Sequence, residues 1–376
     1  MSAPKIRIGI LGATGTVGQK LLLLLREHPW FEVTALAASE RSAGKRYGEA
    51  VRWLEPEPMP ARAASMVVQA AAPLLDCDLV FSALDAASAA IVEPAFAAAG
   101  VPVVSNASAH RMNPRVPLLV PEVNPDHVAL VRTQGDGPGF IVTNPNCSTV
   151  GLVLCLKPLY DAFGVEDVQV TTLQAVSGAG YPGVPALDIL GNVIPHIPGE
   201  EEKIASEPGR ILGKLGRRGV APATMRISAQ TTRVPVVDGH LLSVSVRLGR
   251  RARLDEVRDA FVEFTPPPRV ATLPTAPRRA LQVLDEAAAP QPRLHACAGG
   301  GMTVSIGRLR PCPVLDWRFV ALVHNTIRGA AGAAILNAEL LVAERLVPAR
   351  GVATAGRAPR TTRRGRGSAT RGLAAS

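Results

Sequence analysis

Near its amino terminus the chain reads KIRIGILGATGTVGQKLLLLLREH. IRIGIL has the length and unbroken apolar character of a buried strand, and TVGQKLLLLLREH has helical length and apolar content. Between them Gly12, Gly15 and Gly18 stand at intervals of three. Glycines so placed permit a tight turn and let the backbone approach a pyrophosphate, while the helix start offers free N–H groups to the anion. Strand, glycine turn and helix in this order open a parallel sheet. They make Gly12, Thr14, Gly15, Thr16, Val17 and Gly18 candidate dinucleotide contacts. A glycine-rich turn without a ligand is the bland alternative.

The pattern continues beyond that loop. FEVTALAA, DLVFSAL, VPVVSNAS and the run ending FIVTNPN read as further strands, and AASAAIVEPAFAAAG reads as a helix between two of them. Strands separated by helices predict a Rossmann-like, doubly wound parallel sheet with right-handed crossovers. After residue 146 the texture changes. DVQVTTLQAVSG, TMRISAQTTRVPVV and HLLSVSVRLG alternate with period two, which predicts a mostly antiparallel sheet with one covered face. LDEVRDAFVEF reads as a helix against it. FVALVHNTIRGAAGAAILNAELLVAERL reads as strand, loop and a long helix of the kind that often returns to a first domain. The expected α/β organisation is a cofactor domain at 1–146, completed by a helix at 329–347, with an α+β domain at 147–328.

A length of 376 residues, 47% hydrophobic and 19% charged, suits a two-domain globular protein. No window approaches the roughly 20 apolar residues of a membrane helix, and the first residues lack the apolar core of a signal peptide. The expected location is the cytoplasm. Five scattered cysteines without a CxxC pair argue against a disulfide framework and against a zinc or other metal site. The net charge of +10 is uneven: residues 351–376 hold six arginines and no acid, leaving about +4 elsewhere. That segment lacks apolar periodicity and interleaved aromatics, so a solvated, disordered tail is a better reading than a nucleic-acid-binding arm.

The second strand ends AASERSAGK. Sites for an unphosphorylated ribose usually place Asp or Glu there. Ser39, Arg41 and Ser42 suit a 2′-phosphate instead, although Glu40 could also turn in. The reading favours NADP(H) over NAD(H).

NPNCST, residues 144–149, places Cys147 where the apolar run VGLVLCLKPL begins a helix. A thiolate is the nucleophilic form, and a helix start stabilises negative charge. Ser148 and Thr149 are expected to satisfy the first-turn donors, and the same N–H groups could hold an oxyanion. A structural cysteine at a domain junction is the alternative. Among seven histidines, His240 stands out in RVPVVDGHLLSVSV, a turn between two strands, where catalytic groups are commonly carried.

With these residues in view, the chain resembles the aspartate-β-semialdehyde dehydrogenases of the archaeal and fungal branch, from about Ile6 to about Leu346. The resemblance is carried by GILGATGTVGQ, AASERSAGKRYG, SNASAHRM, VPEVN, NPNCSTVGLVL, LQAVSGAGYPGVPALDILGNVIPHIPGEEEK, TTRVPVVDGH and HNTIRGAAGA. It implies NADPH-dependent reductive dephosphorylation of L-4-aspartyl phosphate to L-aspartate 4-semialdehyde, in the biosynthesis of aspartate-family amino acids. It implies that Cys147 is the acyl-accepting nucleophile and His240 the general acid/base, with Asn146 and Gln174 orienting the acyl group. Glu200 and Arg233 would hold the amino-acid part, and Arg111 and Lys203 the phosphate. Ser177, Gly178 and Asn325 would contact the nicotinamide end. The second domain would be catalytic and would pair in a homodimer or homotetramer. Two other functions stay open: an acyl-CoA reductase such as malonyl-CoA reductase, and a non-catalytic dinucleotide-binding regulator.

Overall fold

The computed structural model describes residues 4–135 and 137–347; the Arg-rich stretch expected to be a tail lies outside them. Ile6–Leu11 (β1) is buried on both faces and runs into Thr16–Leu25 (α1). Phe31–Ala38 (β2), Val68–Ala70 (β3), Leu79–Ser82 (β4), Val103–Ser105 (β5) and Ile141–Thr143 (β6) complete a parallel sheet, and Ala86–Ala98 (α2) crosses from β4 to β5. Asp85 caps α2 by accepting from the N–H groups of Ala87 and Ser88, as a short acidic side chain does at a helix start. The strand order is β3-β2-β1-β4-β5-β6. The chain therefore leaves β1 towards one edge and returns to fill the other. Ligands of such sheets bind beyond the carboxyl end of that switch point, which here is the glycine turn after β1.

Cys147–Phe163 (α3) begins the second unit, with most of its side chains buried. It is followed by Val165–Gln174 (β7), Glu200–Ile211 (α4), a hairpin of Lys214–Gly216 (β8) and Gly219–Ala221 (β9), Arg226–Arg233 (β10), His240–Leu248 (β11) and Leu254–Val262 (α5). Leu281–Leu284 (β12), Val304–Pro311 (β13), Trp317–Val323 (β14) and Gly332–Ala343 (α6) follow. The second sheet has the order β10-β7-β11-β14-β13-β12. Its inner pairings are antiparallel, as the alternation implied, but both outer pairings, β10–β7 and β12–β13, are parallel. A parallel neighbour needs a long crossover, and the stretches that contain α4 and the loop 285–303 supply it.

One face of this sheet is dry. Val168 and Val170, Leu242, Val244 and Val246, and Phe319 and Ala321 pack with α3 and with Val257 and Phe261 of α5. Helix α6 joins the other core: Ala334, Ile335, Ala338 and Leu341 pack with Leu21, Leu22 and Leu25 of α1 and with Val142 of β6. Burying one large aliphatic side chain is worth about 1.5–3 kcal/mol, so this docking ties the last helix firmly to the first sheet.

Candidate active site

The glycine turn has a backbone no other residue could follow. Gly12 has φ +75°, and a Cβ there would stand 2.6 Å from the Ala83 carbonyl oxygen; one on Gly18 would stand 2.5 Å from the Gly12 carbonyl oxygen. Gly15 is the N-cap of α1 and has no side chain to occupy the first-turn N–H groups. Those donors stay free for an anion. Tyr47 donates its hydroxyl to the Ala13 carbonyl at 2.8 Å, and Gln19 Nε2 donates to the Thr14 carbonyl at 3.0 Å, so the turn is braced from beneath. Thr14, Gly15, Thr16 and Val17 line one end of a cleft of about 690 Å³. Ser39, Arg41 and Ser42 lie outside that lining, in a turn after β2 closed by the Ser42 N–H to the Ser39 carbonyl at 2.9 Å. The parallel pairing of β1 with β2 sets this turn beside the glycine loop.

The other wall begins where β6 ends. Asn146 caps α3: its Oδ1 accepts from the N–H of Ser148 at 2.9 Å and of Thr149 at 3.2 Å. The expectation that the Ser148 and Thr149 hydroxyls serve those donors is therefore corrected. Both hydroxyls are buried and make no hydrogen bond among the described residues. Cys147 Sγ lies 3.3 Å from His240 Nε2. The other ring nitrogen, Nδ1, accepts from the Ala175 N–H at 3.0 Å, so the single proton of the neutral imidazole is on Nε2, facing sulfur.

Helix α4 supplies the next layer. Glu200 Oε2 accepts from Asn146 Nδ2 at 2.7 Å and Gln174 Nε2 at 3.3 Å, and its Oε1 accepts from Lys203 Nζ at 3.0 Å. Arg111 is 8% exposed and donates to the Asn106 carbonyl and to Glu207. Asn325 accepts from the Gly239 N–H at 2.8 Å and donates to Ser177 Oγ at 2.7 Å. Arg111, Asn146, Cys147, Ser177, Gly178, Glu200, Lys203 and Asn325 share the cleft with the glycine turn. Gln174, Arg233 and His240 are buried just behind it. Arg233 Nη1 donates to the Ala175 carbonyl at 2.8 Å, and a Cβ on Gly178 would stand 3.0 Å from that nitrogen.

Residues 7–131 match the family described as "Semialdehyde dehydrogenase, NAD binding domain", and residues 156–328 match "Semialdehyde dehydrogenase, dimerisation domain". Aspartate-semialdehyde dehydrogenase of Archaeoglobus fulgidus is 49% identical over 90% of this chain and 99% of its own, and that of Saccharomyces cerevisiae is 43% identical over 92% and 100%. This chain belongs to the aspartate-semialdehyde dehydrogenase family. The fold agrees with solved members. The Candida albicans enzyme, determined with NADP, aligns with a TM-score of 0.85 at 44% identity, over 91% of this chain and all of that one. A Vibrio cholerae aspartate-semialdehyde dehydrogenase II aligns at 0.73 and 28% identity, over 90% and 99%.

The electrostatics of Cys147 depart from what a helix start alone would give. Burial, followed by the charge of Glu200, pushes the Cys147 thiol up to about 12, against the pull of Arg111, Arg233 and the helix start. Burial, Arg233 and His324 hold His240 down at about 3. Cysteine and histidine thus rest as thiol and neutral imidazole. Burial also works to raise Glu200, but Lys203 and the amides of Asn146 and Gln174 outweigh it and hold the carboxyl below its usual range. Three supporting groups were missed from sequence. Glu207 joins Arg111 to the Asn146 backbone, Asn144 joins Asn106 to the Ala330 carbonyl, and Glu122 pairs with Arg328 at 2.7 Å, both fully buried. Only Glu207 had a visible signal, seven residues beyond Glu200 on the same helix face.

Proposed function

We propose that the enzyme reduces L-4-aspartyl phosphate to L-aspartate 4-semialdehyde and inorganic phosphate with NADPH, through a thioester on Cys147. One observation carries the reading: the Cys147–His240 contact of 3.3 Å opens on a single cleft with the glycine turn at one end and Arg111, Lys203 and Glu200 at the other.

The glycine cradle, in which added Cβ atoms would strike backbone, fits a pyrophosphate held on the first turn of α1. Ser39, Arg41 and Ser42 suit a 2′-phosphate, and the fungal relative was solved with NADP. NADPH, when bound there, supplies the hydride. Arg111 and Lys203 hold the phosphoryl group, and Arg233 the α-carboxylate in the planar grip a guanidinium provides. Glu200 holds the α-ammonium. Burial and then the Glu200 charge hold Cys147 as a thiol; pairing with the ammonium offsets the second of these, so substrate binding works towards the thiolate. Sulfur then attacks the acyl carbon, the carbon–oxygen bond to phosphate breaks, and the thiol proton leaves with the phosphate. The Asn146 and Gln174 amides orient the acyl group.

In the second half, the His240 Nε2–H gives the proton that the thioester oxygen needs as its carbon accepts hydride, and a proton taken up from solvent restores the ring. Collapse of the hemithioacetal releases the aldehyde and restores the thiol. A covalent intermediate splits one difficult step into two easier ones, and sulfur serves because thioester carbonyls accept hydride and thiolate leaves well. Phosphate-dependent oxidation of L-aspartate 4-semialdehyde by NADP⁺ tests the assignment, alongside malonate semialdehyde with CoA. Faster turnover of the second pair would overturn it.

Two further features belong to this reading. Among the described residues no helix is long and apolar enough to cross a membrane; with five free cysteines, a reducing cytoplasm is the location proposed. The second sheet's outer face and the stretch bearing Leu187 and Leu190 are proposed to pair two copies.

A further inference from the structure

Helix α4 carries Glu200, Lys203 and Glu207 at intervals that stack them along one face. Glu207 is not part of the cleft lining. It is 2% exposed, and its two oxygens face different ways. Oε1 accepts from Arg111 Nη1 at 2.9 Å, and Oε2 accepts from the backbone N–H of Asn146 at 2.7 Å. The same helix holds Asn146 a second time, through Glu200 and the Asn146 side chain. The residue that precedes the nucleophile is thus pinned at its backbone by one carboxylate and at its carboxamide by another. Arg111 is fixed on its far side by the Asn106 carbonyl at 2.8 Å. A guanidinium has five donors, so these two bonds leave others to meet an anion in the cleft.

We propose that Glu207 is a positioning residue that couples the anion grip of Arg111 to the loop carrying Cys147. The proposal rests on the reading of Arg111 as a phosphate ligand. The chemistry of the side chain is what makes the coupling possible. An ionised carboxylate only accepts, on two oxygens, and can serve both donors at once. A carboxamide of the same shape accepts on one atom and turns an NH₂ group towards the other donor. An aspartate keeps the charge but is one methylene too short to span both.

The test is steady-state phosphate-dependent oxidation of L-aspartate 4-semialdehyde by E207Q and E207D. A misplacement of 1 Å costs up to about a hundredfold in rate, so KM for phosphate is expected to rise about tenfold and kcat to fall about tenfold in each. In an Arg111→Met background, E207Q is expected to leave the phosphate KM where R111M has set it, while kcat still falls through the Asn146 branch. A purely structural Glu207 would change folded fraction and melting midpoint but leave KM alone. A phosphate KM within about twofold of wild type in folded E207Q, or an equal rise in the R111M background, overturns the proposal. The alkylation rate of Cys147 by iodoacetamide, without substrate, keeps this test separate from the proposed function. If the wild-type enzyme does not oxidise the semialdehyde, that function fails, yet a changed alkylation rate in both variants still supports the Asn146 branch. An unchanged rate overturns it. Failure of both variants to fold also overturns it, since Glu207 would then be a folding residue.

Discussion

Cys147 and Cys155 lie on one helix two turns apart, and the contrast between them isolates what a reactive thiol needs. Both are pushed up by burial. Cys155 has no other influence on it, while Cys147 has Arg111 and Arg233 pulling down, Glu200 pushing up and His240 in contact. Cys147 and His240 were legible in the sequence as residue types in suggestive places. The direction of the thiol shift was not, because burial and the Glu200 charge oppose two arginines and the helix start, and only the packing shows which wins. The Asn146 cap was hidden for a similar reason: Ser148, Thr149 and Asn146 are all capping residues, and backbone geometry decides among them. Glu200 raises the thiol, so removing its charge favours ionisation. Glu200→Gln is expected to move the pH profile of iodoacetamide inactivation to lower pH than that of the native enzyme. A profile that stays in place or moves up would sink the substrate-gated nucleophile. Peptide mapping of the native enzyme at pH 8 should find label on Cys147 and none on Cys155, and equal labelling would remove the contrast.

At the scale of elements, long buried or alternating stretches announced themselves. β1, β2, β7 and β11 lie where their patterns placed them. β3, β8, β9 and β12 are three or four residues long, too short for a period to show. The parallel outer pairings depend on where a crossover returns, which no local pattern records. Ile327–Ala331, which spans the expected start of the last helix at 329, forms a π-helical turn in which the Gly329 N–H reaches the His324 carbonyl at 2.9 Å. Such turns are often found at functional sites. This one presses on Cys147: a Cβ on Gly329 would stand 2.6 Å from Cys147 Cβ. Gly329→Ala must therefore displace either the turn or the first residue of α3. Overpacking of this kind costs about 1–3 kcal/mol, and a shift of the sulfur lowers kcat by about a hundredfold. Melting and steady-state kinetics of the variant check both. Activity within about twofold of wild type would show that the contact is not restrictive.

The whole molecule is closed by contacts that cross its length. His28, before β2, meets Glu339 of α6 at 2.7 Å, and Glu339 also accepts from the N–H and hydroxyl of Thr275. Leaving a buried donor unpaired costs about 1–3 kcal/mol. Glu339→Ala strands groups on both sides of the joint, and a loss of about 3 kcal/mol, seen as a melting midpoint several degrees lower, is expected. An unchanged midpoint would mean that apolar packing alone holds α6. The opposite surface is left open. Leu173 at the end of β7 is 41% exposed, and in the stretch after it Leu187, in the short helix Ala186–Ile189, is 94% and Leu190 68% exposed. Single exposed apolar residues are ordinary, but three of them in and after one strand suit the proposed contact between copies. The span matched by the dimerisation family, 156–328, contains all three. An isologous pair would present the same residues from both copies, so one charged substitution enters the interface twice. The double variant Leu187→Glu/Leu190→Glu is expected to elute as a monomer in size-exclusion chromatography with light scattering, while the native chain elutes as a dimer or larger. A variant that keeps the native mass places the contact elsewhere. Because β7 ends at Gln174 and the same stretch continues through Ser177 and Gly178 into the cleft, the monomer should also bind NADPH more weakly than the native oligomer, and equal affinity would separate assembly from the active site.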